Sequence, residues 1–373
     1  MVVNYNLFLI DQLPEGYLED NYSEYLSPTY TRKKMKDHMR LQKRIGTLKN
    51  YQNWIDRTGQ EEHFLDVKQM FPMPKRDENF RKSFGQISME TAEAVLKENR
   101  KVNIYWSGGL DSTNIVLTFL ALNKHKDQVK ILMNYNSILE SGYLFDTFVK
   151  PNFEYDIGVP RLEDQDIYFN KDEIYFTGQP NDQLGCSRIS DIVGILKTQE
   201  LFAHTNQFNN LDTIYKDERG RGVNRFEDHL YDKDIKFFEK VVAASPCPIH
   251  TLEEFIWYIG FNYRWQSASF APFHIIHNAN LREEYPDVLR AFYNTEDFQQ
   301  WGINKYEVDD RKNFIRRYLN EIIGEEIVDY TTHKKRTPSF YASYKRNYLL
   351  TNDKFENVYV EDSIVNEIYN KLR

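Results

Sequence analysis

Cysteine is nearly absent: Cys186 and Cys247 are the two in 373 residues. Two cysteines cannot build a disulfide framework or an all-cysteine zinc site, and their scarcity fits a protein of the reducing cytosol. Long apolar runs are lacking as well. The longest, residues 115–122, is interrupted by Thr118 and falls far short of the roughly 20 residues of a membrane span. The start, MVVNYNLFLIDQLPEG, has no basic segment ahead of its apolar residues and meets acid early, so no secretory leader is expected. Positive charge is not in excess either. Lys and Arg total 48 against 56 Asp and Glu, a net charge of −8, which argues against a surface that coats nucleic acid or anionic membrane. No repeat of fixed period and no long low-complexity tract is visible.

What the chain has is length and aromatic side chains. At roughly 150 residues per domain the length predicts two or three domains, with enough core to dispense with a disulfide or metal staple. The 25 Phe, 26 Tyr and 5 Trp fill a core with few residues. An apolar stretch over 2–10 reads as a strand. Met35, Met39, Leu41, Ile45, Leu48, Tyr51 and Ile55 recur at helical steps over 32–56, predicting a helix with one buried stripe. Its other faces are basic, from Arg32 to Lys49. A solvated surface balanced by acids elsewhere accounts for this better than a phosphate- or RNA-binding face. FPMPKRDE, residues 71–78, reads as a linker or domain boundary.

The texture then changes. A helix is expected over 88–99 with Ser88 as its N-cap. A strand follows at 102–106, then a glycine pair, an apolar helix over 113–123 and a strand at 129–135. Strand, helix and strand at this spacing make a βαβ unit, and 153–159 and 173–177 offer two more strands. The expectation is an α/β fold: a parallel nucleotide-binding sheet flanked by helices, with an N-terminal extension over 1–90. The main domain spans 91–373, a core over 91–190 and a mostly helical part over 191–373. Helices are expected near 191–204, 226–244, 252–266, 297–301, 311–323 and 363–372.

The most informative residues follow the strand at 102–106: Ser107, Gly108, Gly109, Leu110, Asp111 and Ser112. Adjacent glycines let the backbone turn sharply and bring bare N–H groups to an anion. The following helix aims its positive end at the same place. Ser107 and Ser112 add hydroxyl donors. Asp111 repels phosphate, so its task is to hold the loop or to help bind Mg²⁺. The loop lacks the lysine and spacing of a Walker A sequence and is not GxGxxG.

SGGLDS resembles the pyrophosphate loop of the N-type ATP pyrophosphatases, which cleave ATP between its α- and β-phosphates. That superfamily includes asparagine, β-lactam, NAD and GMP synthetases and several tRNA-modifying enzymes. A second segment narrows the resemblance. Thr177, Gly178, Asp182, Gln183 and Leu184, within YFTGQPNDQL, are similar to the asparagine synthetase segment that reads approximately SGEGSDELFGG. Asn181 stands where that family often has Ser, and Gln183 where it has Glu. The resemblance implies that Gly178 lets backbone approach ribose or adenine and that Asp182 is a Mg²⁺ ligand together with Asp111. It further implies that Phe292, Tyr293, residues 296–301 and 311–323, and the basic Lys334, Lys335 and Arg336 form the C-terminal part of the synthetase domain. Lys335, with Lys334 beside it, is then the lysine that approaches the α-phosphate.

The implied activity is adenylation of a small carboxylate, aspartate by default, with ATP and Mg²⁺ as cofactors and release of pyrophosphate. Ammonia or an amine, from solution or from a separate donor protein, then forms the amide. No cysteine follows Met1, where Val2 stands, so the glutaminase domain of the glutamine-dependent synthetases is not expected. The cysteine count also disfavours the thiolating and zinc-dependent relatives. Two further readings stand beside this one: adenylation of a nucleic-acid base or modified nucleotide, with RNA or DNA bound by the basic helix, and a non-catalytic ATP-binding scaffold. Self-association is left open by the sequence. His274 and His277 read as structural, while Arg219–Gly222 and Arg264 are candidates for an arginine near the substrate.

Overall fold

The computed structural model describes residues 55–60, 69–122, 126–157, 169–185, 240, 242–249, 254, 257–258, 260–270, 285–305 and 312–324. In chain order the principal elements are α1 (Phe84–Leu96), β1 (Lys101–Tyr105), α2 (Leu110–Leu122), β2 (Val129–Met133), α3 (Tyr135–Glu140), β3 (Glu154–Ile157), β4 (Glu173–Thr177), α4 (Asn181–Gly185), α5 (Trp265–Phe270), β5 (Leu289–Ala291), α6 (Glu296–Lys305) and α7 (Asn313–Ile323). The expected strand at 2–10, nearly all of the basic helix, and the helices at 191–204 and 363–372 lie outside the described residues. Ile55 and Asp56, at the end of that expected helix, are irregular.

The described residues fall into two compact units. One draws on Lys82–Gln179, Pro272–Phe298 and Lys312–Arg373, the other on Met1–Arg81, Pro180–Ala271 and Gln299–Arg311. The first holds the sheet. Five strands run in the order β3-β2-β1-β4-β5, and every pairing is parallel. The fold is therefore α/β, a parallel sheet with flanking helices.

Alternation along the strands separates two faces. Val102, Ile104, Val129, Ile131, Met133, Ile174 and Phe176 form one, each at most 2% exposed. Against this apolar layer packs α2, with Phe119 meeting Phe176 and Phe292, and α1 and α7 pack in turn on α2 and on each other, with Phe84 meeting Phe298, Phe314 and Tyr318. Burying each such ring contributes about 1.5–3 kcal/mol. The other face is polar, where a parallel sheet is ordinarily apolar on both sides. Lys101 and Lys130 pair with Glu154 and Asp156, and Asn103 and Tyr175 donate to Glu173 at 2.6 and 3.1 Å.

Helix α1 begins earlier than expected. Ser83 is its N-cap, accepting from the Gln86 N–H at 3.1 Å while the Gln86 side chain accepts from the Ser83 N–H at 2.8 Å. This reciprocal box satisfies two otherwise orphaned donors. Ser88 instead lies wholly buried inside the helix. Strand β5 was not expected, and the strand predicted over 129–135 stops at Met133, where Asn134 caps α3.

The second unit is organised around Arg57, 1% exposed. Its guanidinium donates to the carbonyls of Phe71 (2.6 Å), Pro72 (3.4 Å) and Phe261 (2.9 Å) and to the Gln299 amide oxygen. It also lies about 5 Å from the Phe261 and Trp265 rings, a cation–π arrangement. Burial pushes the Arg57 pKa down to about 9, so the group is still ionised at neutral pH. Residues 71–78, which the sequence marks as a linker or boundary, are tied into this unit, whose first segment ends shortly after at Arg81. The Gln300 side chain donates to Lys75 O and accepts from the Asp77 N–H, and Arg76 donates to Asn304. No helix among the described residues is long and apolar enough to cross a membrane.

Two substitutions test this packing. At Gly85 an added Cβ would lie 2.4 Å from the Tyr318 ring. Gly85→Ala is expected to destabilise by about 1–3 kcal/mol through overpacking, although helix propensity alone favours Ala by about 1 kcal/mol; urea unfolding reads the sign. Arg57→Ala strips buried carbonyls of their donor and is expected to cost about 2–4 kcal/mol by the same measurement.

Candidate functional site

Chain order reverses between β1 and β4: β2 and β3 lie on one side of β1, and β5 lies beyond β4. In open parallel sheets the crevice outside the carboxyl ends of the strands at such a switch point is where ligands bind. Residues 107–112 leave β1 at this point, and Thr177 and Gly178 end the adjacent β4. Two sequence motifs far apart in the chain thus meet within one unit.

The loop is held from several sides. Trp106, 2% exposed, donates its Nε1–H to Thr113 Oγ1 at 3.0 Å, fastening strand to helix. The Ser107 N–H donates to Ser112 Oγ (3.1 Å), the two hydroxyls lie 3.0 Å apart, and Ser112 Oγ donates to Gly109 O (3.2 Å). Ser112 is buried and closes the loop on itself, whereas Ser107 is exposed. Gly108 has φ +81°, and a Cβ there would lie 2.5 Å from Ser137 O and 3.0 Å from the Glu140 side chain. Ser141 Oγ donates to Gly108 O at 2.7 Å. The turn after β2 therefore supports the glycine loop from behind, and glycine is required by both conformation and space.

Gly178 makes a close, though less severe, approach from the end of β4. Its added Cβ would meet Asp111 Cβ at 3.1 Å and Ser112 N at 3.3 Å, so the end of β4 lies directly against the first turn of α2. Beside it Thr177 is 5% exposed, and its Oγ1 has no hydrogen-bond partner. Tyr293 fixes that first turn as well, donating to Asp111 O at 2.7 Å while accepting from Asn114 Nδ2 at 2.9 Å. Complete burial pushes the Tyr293 phenol well above its ordinary pKa, which keeps it a donor. Lys312, immediately before α7, forms an ion pair with Asp111 through Nζ and Oδ2.

Ser107, Gly108, Gly109, Asp111, Ser112, Thr177 and Gly178 are thus gathered in the sheet-bearing unit. Asp182 is half-buried in the first turn of α4, in the second unit. That turn is anchored by Leu184, wholly buried, whose carbonyl accepts from Trp257 Nε1 at 2.9 Å. Lys334, Lys335, His274, His277 and residues 219–222 lie outside the described residues; Arg264 is half-buried in the second unit. The sequence reading missed Ser137, Ser141 and Lys312. The first two follow an ordinary strand end, and the third is 201 positions from its partner.

The donors present fit a phosphate group. A glycine turn with no room for a side chain at Gly108, the start of a 13-residue helix and an unpartnered buried hydroxyl at Thr177 are features suited to an anion. Asp111 could offer one hard oxygen ligand to Mg²⁺, which is commonly held by one or two carboxylates and by substrate phosphate. Among the described residues, no group of three or more His, Cys, Asp or Glu side chains comes together. A scan against protein-family models and searches of curated proteins and of solved structures found no match to this chain.

Gly108→Ala is expected to cost about 3 kcal/mol of stability, from left-handed backbone strain and collision with Ser137 O. Gly109→Ala, whose Cβ would meet just Ser107 Oγ at 3.3 Å, is expected to cost less than about 1 kcal/mol. Paired denaturant titrations distinguish the two.

Proposed function

We propose that this chain is an ATP-dependent, AMP-forming ligase similar to the synthetase domain of asparagine synthetases. The observation that carries the reading is the meeting of SGGLDS with Thr177 and Gly178 at the carboxyl ends of adjacent parallel strands. A nucleotide's phosphates are received at such a switch point by backbone N–H groups and a helix start. The resemblance of the two segments names the bond to be cleaved.

In this reading a substrate carboxylate oxygen attacks the α-phosphorus of ATP. The bond to the bridging oxygen breaks, and pyrophosphate leaves with its electron pair. The acyl-adenylate is then attacked at its acyl carbon by ammonia or an amine; AMP departs and the nitrogen loses a proton. Aspartate is the default acid by resemblance. The loop holds the pyrophosphate portion through the Gly108 and Gly109 backbone and the Ser107 hydroxyl, and Gly178 keeps β4 close enough to complete the cradle. Mg²⁺, when bound, neutralises charge on the polyphosphate, and Asp111 is the residue here that would hold it. Asp182 and Lys335 keep the roles the resemblance gives them, metal ligand and α-phosphate lysine. Catalysis by such a site rests on positioning and charge neutralisation, with no protein nucleophile.

Incubation with Mg-ATP, ammonia and a panel of amino acids, followed by nucleotide analysis, tests the reading. AMP with pyrophosphate is the expected product pair, and Asp111→Ala is expected to lower its formation by about 100-fold. ADP as product overturns the assignment. AMP formed with RNA, and with no small acid, moves the activity to nucleic-acid bases.

A further inference from the structure

Asp111 poses a problem that its surroundings answer. A carboxylate in the first turn of α2 complements the helix dipole, yet it faces the place where phosphate would be received and repels it. In the structure its charge is opposed by Lys312. The two side chains are 23% and 14% exposed, so their attraction is less screened than that of a surface pair.

Lys312 is also held at a backbone cost. Its φ and ψ are 53° and 43°, left-handed, a conformation that disfavours residues with a Cβ, Asn and Asp least. Asn99 is the other non-glycine residue with positive φ among those described, and Asn tolerates that region. The strain at Lys312 is sustained because α7 is anchored. Phe314, Ile315, Tyr318 and Leu319 are buried, and the Tyr318 and Thr118 hydroxyls lie 3.3 Å apart, linking α7 to α2. The fold thus fixes the Lys312 backbone beside the loop, while the flexible four-carbon stem allows its ammonium more than one aim.

We propose that Lys312 is a positioning residue that exchanges partners: it neutralises Asp111 before nucleotide binds and transfers its ammonium to phosphate when nucleotide arrives, leaving the Asp111 carboxylate to the divalent cation. This rests on the nucleotide reading given above and adds a residue and a coupling to it. Nucleotide draws off the lysine that competes with the cation, and the cation removes the carboxylate that competes for the lysine. Each therefore favours the other, and by linkage the favour is equal in both directions.

The test uses the full chain with Lys312→Gly and Lys312→Arg. Glycine suits left-handed backbone, so Lys312→Gly is expected to melt no lower than the parent, and a loss of binding in it is not a loss of fold. Two probes are titrated: Mn²⁺ alone, followed by its electron paramagnetic resonance, and α,β-methylene-ATP with Mg²⁺, followed by calorimetry. In Lys312→Gly the methylene analogue is expected to bind about tenfold or more weakly, the loss of a charge-assisted phosphate contact. Mn²⁺ alone is expected to bind several-fold more tightly, because its competitor for Asp111 is gone. Lys312→Arg, which keeps the charge, restores analogue binding to within about threefold. Weakening of both probes in Lys312→Gly would make the pair a structural latch and overturn the exchange, as would unchanged affinity for the analogue. Failure of the parent protein to bind the analogue at all would sink the nucleotide reading, and the exchange with it.

Discussion

Parallel pairing of β1 with β4, with Lys101 opposite Glu173 and Ile104 opposite Phe176, is the constraint from which the site follows. Parallel neighbours end on the same side of a sheet. The chain beyond Tyr105 and the chain beyond Thr177 therefore emerge together, however many residues separate them. Contact at that edge is close: Gly108, with left-handed backbone, has no room for a Cβ against Ser137, and a Cβ on Gly178 would press on Asp111 and Ser112. The glycines are there because three strand ends converge on one turn of backbone. The start of α2, with its orphan N–H groups, lies in the hollow between these strand ends.

Around this hollow the fold divides its labour between rigidity and charge. Tyr293, buried and protonated, ties Asp111 O to Asn114 and so sets the first turn of α2. The aromatic cluster of Phe84, Phe298, Phe314 and Tyr318 fixes α7, and with it the origin of the Lys312 side chain. The second unit uses a comparable device for a different end. Arg57 gathers the carbonyls of segments at 71–72 and 261, satisfying in one group the irregular backbone that neither helix nor strand pairing would satisfy.

Much of the sheet was legible because its signals are local. The run over 102–106, the glycine pair and the apolar α2 leave little choice of element, and Glu173–Thr177 is bounded as the sequence reading placed it. Misreadings occurred where local signals competed or were too short. Ser88 is a plausible cap by type, but Ser83 with Gln86 offers two hydrogen bonds rather than one. Strand β5, at three residues, is beneath any periodicity. Of the site, the loop and Gly178 were legible because glycine marks backbone demands directly. The Lys312–Asp111 pair was not: nothing near Lys312 in sequence marks it, and its left-handed backbone runs against its own preference. Residues assigned by resemblance alone divide differently, Asp182 standing in the second unit and Lys335 outside the described residues.

The polar face of the sheet bears on how the protein avoids its own kind. Strand β3 is the outermost described strand on its side, four residues long, with Glu154 and Asp156 on alternate positions and about half exposed. An unpaired strand edge is a template for a foreign strand, and short length and charge are two ways of spoiling it. A second copy laid alongside in parallel register would bring its own carboxylates against these. The lysines of β1 and β2 that offset the acids within one molecule would have no counterpart at the new junction. The same residues that balance charge inside the monomer thus make edge-to-edge association of the sheet unfavourable.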